Sequence, residues 1–303
     1  MAVAAIDIGT NSVKLLVARP GKGKAFEPLA EEVVVTRIGE RVAITGELAE
    51  AAIDRTLVVL QKFALRAAEL GAKEVRCVGT SALRDAKNRE EFCRRAWERA
   101  GLKVQVISGE EEARLTFLGA MSGMRGRRPT LVLDVGGGSS EVILGGQRGP
   151  QQRISLDVGA VRMTERYLRH DPIPMDEWLG MMSYLSLELG KKLRRLDTEG
   201  CRVVGVGGTF ANLASMHLKL AKLDPARVDG CRLRQRDVRN LISDLRGMRL
   251  EHRKQVPGLE PERADIIVAG LSIVDALISA LTKRVLMVSR RGLRHGLLLA
   301  NRV

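Results

Sequence analysis

The sequence predicts an α/β protein built from two related halves. Three observations predict this: an ungapped internal repeat of strand, polar turn and strand; short apolar runs alternating with amphipathic stretches; and a length of 303 residues, enough for two full cores. The repeat lays Asp7-Ile8-Gly9-Thr10-Asn11-Ser12-Val13-Lys14-Leu15-Leu16-Val17 over Asp134-Val135-Gly136-Gly137-Gly138-Ser139-Ser140-Glu141-Val142-Ile143-Leu144, and the Asp, the first Gly, one Ser and the apolar run coincide. One supersecondary unit used twice implies two halves that face each other.

In chain order, residues 2–7 and 13–19 read as the first hairpin and residues 33–36 as a third strand, an antiparallel opening. Thr45 is placed to cap a helix whose apolar Ile53, Leu57, Leu60, Ala64 and Ala67 recur on one face, with Gly71 ending it. Residues 75–78 form a buried strand running into Gly79-Thr80-Ser81-Ala82-Leu83-Arg84, a polar loop opening a helix with Phe92, Ala96 and Trp97 inward. The strand at 104–107 leads into Ser108-Gly109-Glu110-Glu111-Glu112-Ala113-Arg114. Ser108 and Glu111 have capping-box spacing, and three acids in a first turn complement the helix dipole. Glu112 lies one residue past the capping position, near a strand end where α/β proteins place chemistry. Both readings stand at this stage.

Residues 121–129 are Gly-rich, basic and without apolar period, and they divide the chain into domains 1–124 and 125–303, with a last helix at about 292–303 able to pack back on the first. After the second hairpin come a strand at 154–157, a helix opened by Gly159-Ala160-Val161-Arg162, and an amphipathic segment over 175–195 whose Lys191, Lys192, Arg194 and Arg195 read as a solvated helix end. A strand at 203–206 feeds Gly207-Gly208-Thr209 and a helix. Helices over 235–248 and 261–281, a strand at 285–288 and a final helix at 292–301 complete the pattern. No P-loop and no full dinucleotide fingerprint occurs.

Composition narrows the partners. A formal net charge of +14 favours polyanions, but two Trp, two Tyr and five Phe supply few stacking platforms for single-stranded nucleic acid, and no nucleic-acid-binding motif is present. Cys77, Cys93, Cys201 and Cys231 lack CxxC spacing and sit in or beside apolar segments, as buried thiols of a reducing compartment do. His170, His217, His252 and His295 show no ligand spacing. The N-terminus passes directly into Asp7 as a first strand rather than a leader, and the longest apolar stretch, 264–281, is interrupted by Asp265 and Asp275. A cytoplasmic protein without membrane attachment is expected.

Three consecutive glycines cost backbone entropy, so the turn after Asp134 needs a reason; close approach of main-chain N–H groups to an anion is one. Asp134 and Glu141 could hold a divalent cation over that anion. An ordinary Gly-rich hairpin is the other reading, and the second copy at Asp7 favours the first: two such hairpins facing one cleft clamp a phosphate chain.

Six motifs, in order, resemble the exopolyphosphatase / guanosine pentaphosphate phosphohydrolase (Ppx/GppA) family: Asp7 to Ser12, Gly79 to Arg84, Ser108 to Arg114, Asp134 to Ser139, Gly207-Gly208-Thr209 and Gly292-Leu293-Arg294. The resemblance spans essentially the whole chain. It implies two actin-like (ribonuclease H-like) domains with mixed five-stranded sheets flanked by helices, and an active site in the interdomain cleft. It implies a Mg2+- (or Mn2+-) dependent hydrolase removing terminal phosphate from inorganic polyphosphate, guanosine pentaphosphate or both, and a homodimer. Carried over by motif, Glu112 is the catalytic carboxylate that aligns water, and Asp134 and Glu141 are the metal-side carboxylates. Asp7, Gly9, Thr10, Asn11, Ser12, Arg84, Gly136, Gly137, Gly138, Ser139, Gly207, Gly208 and Thr209 fall on phosphate-binding positions.

Two departures from the family pattern stand out. The final motif reads Ser289-Arg290-Arg291-Gly292-Leu293-Arg294-His295-Gly296, more basic than in many relatives. The additional C-terminal helical domains of longer relatives, which help retain long polymers, are not expected here, so the resemblance does not carry strong processivity over to this chain. Arg125, Arg127, Arg128, Arg290, Arg291 and Arg294 are candidates for a basic track or for a solubilising surface. A kinase of the same superfold and a non-catalytic polyanion or nucleotide sensor are the competing functions; the Ser108 to Arg114 motif is similar to that of the hydrolases rather than a kinase, and a binder needs no water-orienting Glu112. The sequence is nearly silent between polyphosphate and guanosine pentaphosphate.

Overall fold

A computed structural model describes residues 1–21, 26–124, 126 and 128–300. The chain divides into two compact units, Met1–Ser122 with Arg291–Val303, and Gly123–Arg290.

The first unit opens with β1 (Ala2–Ile8), β2 (Ser12–Pro20) and β3 (Phe26–Val35), followed by the single-turn α1 (Val42–Thr45) and the long α2 (Glu50–Glu69). Then come β4 (Ala72–Gly79), α3 (Ser81–Asp85), α4 (Arg89–Ala100), β5 (Val104–Val106) and α5 (Gly109–Met121). Its sheet runs β3-β2-β1-β4-β5, antiparallel across the first three strands and parallel from β1 to β4 to β5. Side-chain alternation sends Ile6, Ile8, Val13 and Leu15 to one face, where α2 contributes Ile53, Leu57, Leu60 and Phe63. Full burial of such side chains stabilises by roughly 1.5–3 kcal/mol each, which holds α2 although its N-cap residue Ala49 offers no side-chain cap. Thr45 is therefore not the cap expected from its position: it closes α1, and its hydroxyl donates to the Arg41 carbonyl. Trp97 also departs from expectation, being 61% exposed while Phe92 and Ala96 of the same helix are buried.

The other face of this sheet carries Ala5, Leu16, Ala18 and Val78 against Leu115 of α5 and Leu293 and Leu297 of the last helix. Period two puts Asp7 and Lys14 on that same face.

The second unit runs β6 (Thr130–Val135), β7 (Ser140–Gly146), β8 (Gly149–Leu156), α6 (Ala160–Tyr167), α7 (Met175–Leu193), β9 (Arg202–Val206), α8 (Gly208–His217) and α9 (Pro225–Val228). It continues through β10 (Arg232–Arg234), α10 (Gln235–Arg246), α11 (Leu250–Arg253), a 3-10 turn at Pro261–Arg263, α12 (Ile267–Ala280) and β11 (Val285–Ser289). Five of its strands, β8-β7-β6-β9-β11, repeat the order and polarity of the first sheet. A sixth strand, β10, pairs antiparallel with β11 and extends the five-stranded expectation. Three residues with a single inward side chain, Leu233, are too short a pattern to read as a strand from sequence. The apolar α12, buried at 12 of its 14 positions, is the central helix of this core. Among the described residues no helix is long and apolar enough to cross a membrane. Cys77 and Cys201 are buried, Cys93 and Cys231 are partly buried, and all four are free thiols.

The chain ends in α13 (Leu293–Leu299), which belongs to the first unit and docks on α5 by direct backbone contact. A Cβ on Gly119 would sit 2.0 Å from the Gly292 carbonyl oxygen, and one on Gly296 would sit 1.8 Å from that of Leu115.

Candidate functional site

In the first unit the β1–β2 turn is closed by Gly9 N–H donating to the Ser12 carbonyl at 3.1 Å. The loop after β3 then fixes the turn's carbonyls: Asn11 O accepts from the N–H groups of Thr36 and Arg37, and Thr10 O accepts from Gly39. Gly39 is required there, since a Cβ would lie 2.3 Å from Thr10 Cγ2. With the carbonyls engaged, the N–H groups of Thr10 and Asn11 donate to no backbone acceptor among the described residues. The Asn11 side-chain amide is buried, and its Nδ2 has no acceptor among the described residues. A buried donor left unmatched is costly unless a ligand or water meets it, so this turn is shaped for an acceptor.

Beside it lies a four-charge cluster. Glu112, in the first turn of α5, is 8% exposed, and its Oε2 accepts from Arg84 Nη1 at 2.7 Å. Arg84 is held on α3 and also donates to the Ile107 carbonyl at 3.1 Å. The Ser108 hydroxyl caps α5 by accepting from Glu111 N–H, so the capping reading is correct for its neighbours while Glu112 points into the protein. Asp7 and Lys14, opposite each other in the β1–β2 register, form an ion pair at 2.9 Å. Burial pushes the Glu112 carboxyl above the usual carboxylate range; the Arg84 guanidinium opposes that shift, Asp7 adds to it and Lys14 opposes it. Lys14 is a member of this cluster that sequence reasoning did not assign. Its signal was the register position it shares with Glu141.

In the second unit the β6–β7 turn repeats the closure, with Gly136 N–H donating to Ser139 O at 3.0 Å. Here the N-terminus of α6 takes the carbonyls: Ala160 N–H donates to Gly136 O, and Val161 and Arg162 N–H donate to Gly137 O. Arg162 Nε binds the Gly138 carbonyl at 2.8 Å. Gly159 must be glycine, because a Cβ would lie 2.3 Å from Gly137 O. Gly137 and Gly138 donate to no backbone carbonyl among the described residues, so this turn too presents N–H groups.

Asp134 and Glu141 are direct cross-strand partners, the register counterparts of Asp7 and Lys14, and so share a face about 5 Å apart at Cβ. Ser155 on β8 donates to Glu141 Oε1 at 3.1 Å. The third glycine turn closes on the same corner. Gly207 has φ +90°, and a Cβ there would lie 2.5 Å from Asp134 Oδ1; the Thr209 hydroxyl donates to the Val135 carbonyl at 2.8 Å. The Arg263 guanidinium packs on Gly208 and binds Glu260, which in turn takes Asn212. Arg263, Ser155 and Arg162 were not foreseen, because each reaches the site from a distant element.

Each unit thus gathers its own site residues: Asp7, Gly9, Thr10, Asn11, Ser12, Arg84 and Glu112 in the first, and Asp134, Glu141, Gly136, Gly137, Gly138, Ser139, Gly207, Gly208 and Thr209 in the second. The basic-track candidates fare differently. Arg125 and Arg127 lie outside the described residues. Arg128 binds the Gly200 carbonyl, Arg291 binds the Ser122 carbonyl, and Arg294, 13% exposed, binds the Leu15 carbonyl at 2.6 Å and approaches Glu31. Arg294 is a tie between α13 and β2 rather than part of a track.

A sequence model of the Ppx/GppA phosphatase family matches residues 16–302. The chain belongs to that family. Exopolyphosphatase 2 of Mycobacterium tuberculosis is 35% identical to it over 313 residues, covering 98% of both chains. The crystal structure of the Aquifex aeolicus Ppx/GppA family member superposes with TM-score 0.83 at 33% identity, over 99% of this chain and 97% of that one. An exopolyphosphatase structure from Cytophaga hutchinsonii gives TM-score 0.91 at 26% identity, with the same coverage. The two mixed sheets flanked by helices are the Ppx/GppA version of the actin-like fold. Within this family of phosphatases, the duplicated turns and the buried Glu112 are the features whose chemistry needs explaining.

Proposed function

We propose that this protein is an exopolyphosphatase-type phosphoanhydride hydrolase releasing terminal orthophosphate from inorganic polyphosphate, with guanosine pentaphosphate as the second substrate to test. The observation that carries the reading is the buried Glu112–Arg84 pair beside a turn with unmatched donors. The names of the relatives favour polyphosphate.

Phosphoryl transfer asks mainly for positioning and charge neutralisation. In the first unit the N–H groups of Thr10 and Asn11 and the Asn11 amide supply donors for phosphate oxygens, and in the second unit those of Gly137 and Gly138 do. Water attacks the terminal phosphorus, the bridging P–O bond breaks, orthophosphate and a chain shorter by one unit leave, and the water's proton passes to Glu112. Burial makes Glu112 a better base than a surface carboxylate, while Arg84 and Lys14 favour its ionised form.

The donor set at Asp134 and Glu141 would suit Mg2+ or Mn2+: two hard carboxylates share one face and Ser155 donates to Glu141, so these two residues would hold the ion. The ion would supply neutralisation of phosphate charge. Among the described residues no group of three or more His, Cys, Asp or Glu is placed to hold an ion, and in the proposed reading Asp134 and Glu141 would be the carboxylates that contact it.

Orthophosphate release from polyphosphate and from guanosine pentaphosphate with Mg2+, measured beside Glu112→Gln, tests the proposal. Absence of release from both substrates, or equal activity in the variant, refutes it. Competing the two substrates at rising salt ranks them, since the longer polyanion loses affinity faster.

A further inference from the structure

We infer that α6 carries a subsite for a further phosphate of a chain whose first phosphate lies in the β6–β7 turn, and that Arg166, stacked on two tyrosine rings, binds it. The inference rests on that turn taking a phosphate, as proposed above. It adds the residue that tells a long polyphosphate from a short one.

The placement starts at the turn. The first N–H groups of α6 donate to the Gly136 and Gly137 carbonyls and Arg162 Nε donates to that of Gly138, so the face of the helix that bears Arg162 looks onto the turn. Arg166 follows four residues on, a neighbour on the same stripe about 6 Å further along the axis. A polyanion leaving the turn along that stripe meets Arg166 next.

The Arg166 side chain is held without an acid. Its guanidinium carbon lies 5.2 Å from the ring centre of Tyr167, the last residue of α6, and 4.6 Å from that of Tyr184 on α7; the two rings are 5.5 Å apart. These are the chain's only tyrosines, and both converge on one arginine. Arg94, by contrast, is pinned by Glu91 and Glu98, and Arg128, Arg291 and Arg294 are engaged by carbonyls. Arg166 is exposed and has no hydrogen-bond or ion-pair partner among the described residues. Glu188, which acts electrostatically on Tyr167, is itself 3.8 Å from Lys191. Stacking occupies the faces of the guanidinium and leaves its edge, a planar fork of N–H donors matched to two oxygens of one phosphate. The rings also restrict its rotamers in advance, so less freedom is lost when the anion binds.

The test reads binding rather than turnover, which keeps it separate from the hydrolase proposal. Titration calorimetry on the full chain carrying Glu112→Gln, with Mg2+, compares long-chain polyphosphate with pyrophosphate, which is too short to occupy the turn and Arg166 together. Adding Arg166→Gln should lower the ratio of long-chain to pyrophosphate affinity about tenfold, and should reduce the slope of log affinity against log salt for the long chain by about 0.7, the change for one lost phosphate contact. Lys62→Gln, the same charge change on the exposed side of α2, should move neither quantity. Tyr184→Phe keeps a ring face under the guanidinium and should keep the ratio, while Tyr184→Leu should lose most of it. An unaltered ratio in Arg166→Gln, an equal loss for both ligands, or a Tyr184→Leu that binds like Tyr184→Phe overturns the subsite alone. A parent protein that binds neither ligand overturns the phosphate reading of the turn, and the subsite with it.

Discussion

Replacing Glu112 by glutamine should move activity and stability in opposite directions. The glutamine keeps the shape and an acceptor oxygen for Arg84, 2.7 Å away, but cannot take a proton from water. If Glu112 is the base, the rate falls about 10²- to 10⁴-fold, a barrier increase of roughly 3–5 kcal/mol. Stability follows from the upward shift of the Glu112 carboxyl, caused first by burial. A folded-state pKa above the unfolded one means the stability contribution is fully present below the unfolded pKa and is lost as pH rises through the folded value. Above the folded-state value the ionised carboxylate therefore costs the native state stability, and glutamine removes that cost. The variant should melt at or above the wild-type temperature at pH 7.5, and the difference should shrink toward pH 4. Calorimetric scans across pH beside phosphate-release assays make the comparison. A variant that melts several degrees lower while retaining activity would refute the reasoning, because Glu112 would then be only a structural partner for Arg84.

Arg84→Met removes the guanidinium that opposes the rise of Glu112, so the acid limb of the pH–rate profile should move to higher pH with a lower plateau rate. Asp134→Ala should abolish Mg2+-dependent turnover with the first-unit cluster intact; undiminished activity would show the ion to be held elsewhere. Gly296→Ala should lower the melting temperature, since overpacking against the Leu115 carbonyl at 1.8 Å costs about 1–3 kcal/mol and exceeds the gain of about 1 kcal/mol in helix propensity. Thermal unfolding of Gly119→Ala, on the facing helix, should give the same sign.

What the sequence revealed was local. The two hairpins could be superposed because a tight turn fixes register: the repeat set Lys14 at the position of Glu141, and Asp134 and Glu141 were legible as flanking carboxylates, but the Asp7–Lys14 ion pair was not. Ser108 was legible as a cap from its spacing to Glu111. Thr45 and Trp97 were misread because helix starts and inward faces were judged from spacing alone, whereas the packing of α2 and α4 on the sheet decided them. Arg294 reads as surface charge in sequence and is a partly buried tie because β2 offers it a carbonyl 279 positions away. The Gly119 and Gly296 contacts, the approach of Gly207 to Asp134 and the packing of Arg263 on Gly208 join elements far apart in the chain, and no periodicity announces them.

Both glycine turns are held open by hydrogen bonds to their own carbonyls, from residues 36–39 in one unit and from the start of α6 in the other. The turns are thus braced from within the protein, and the phosphate binding proposed above would carry little conformational entropy cost at the turns. Its thermodynamic signature should be enthalpic, with salt-dependent counterion release as the main favourable entropy.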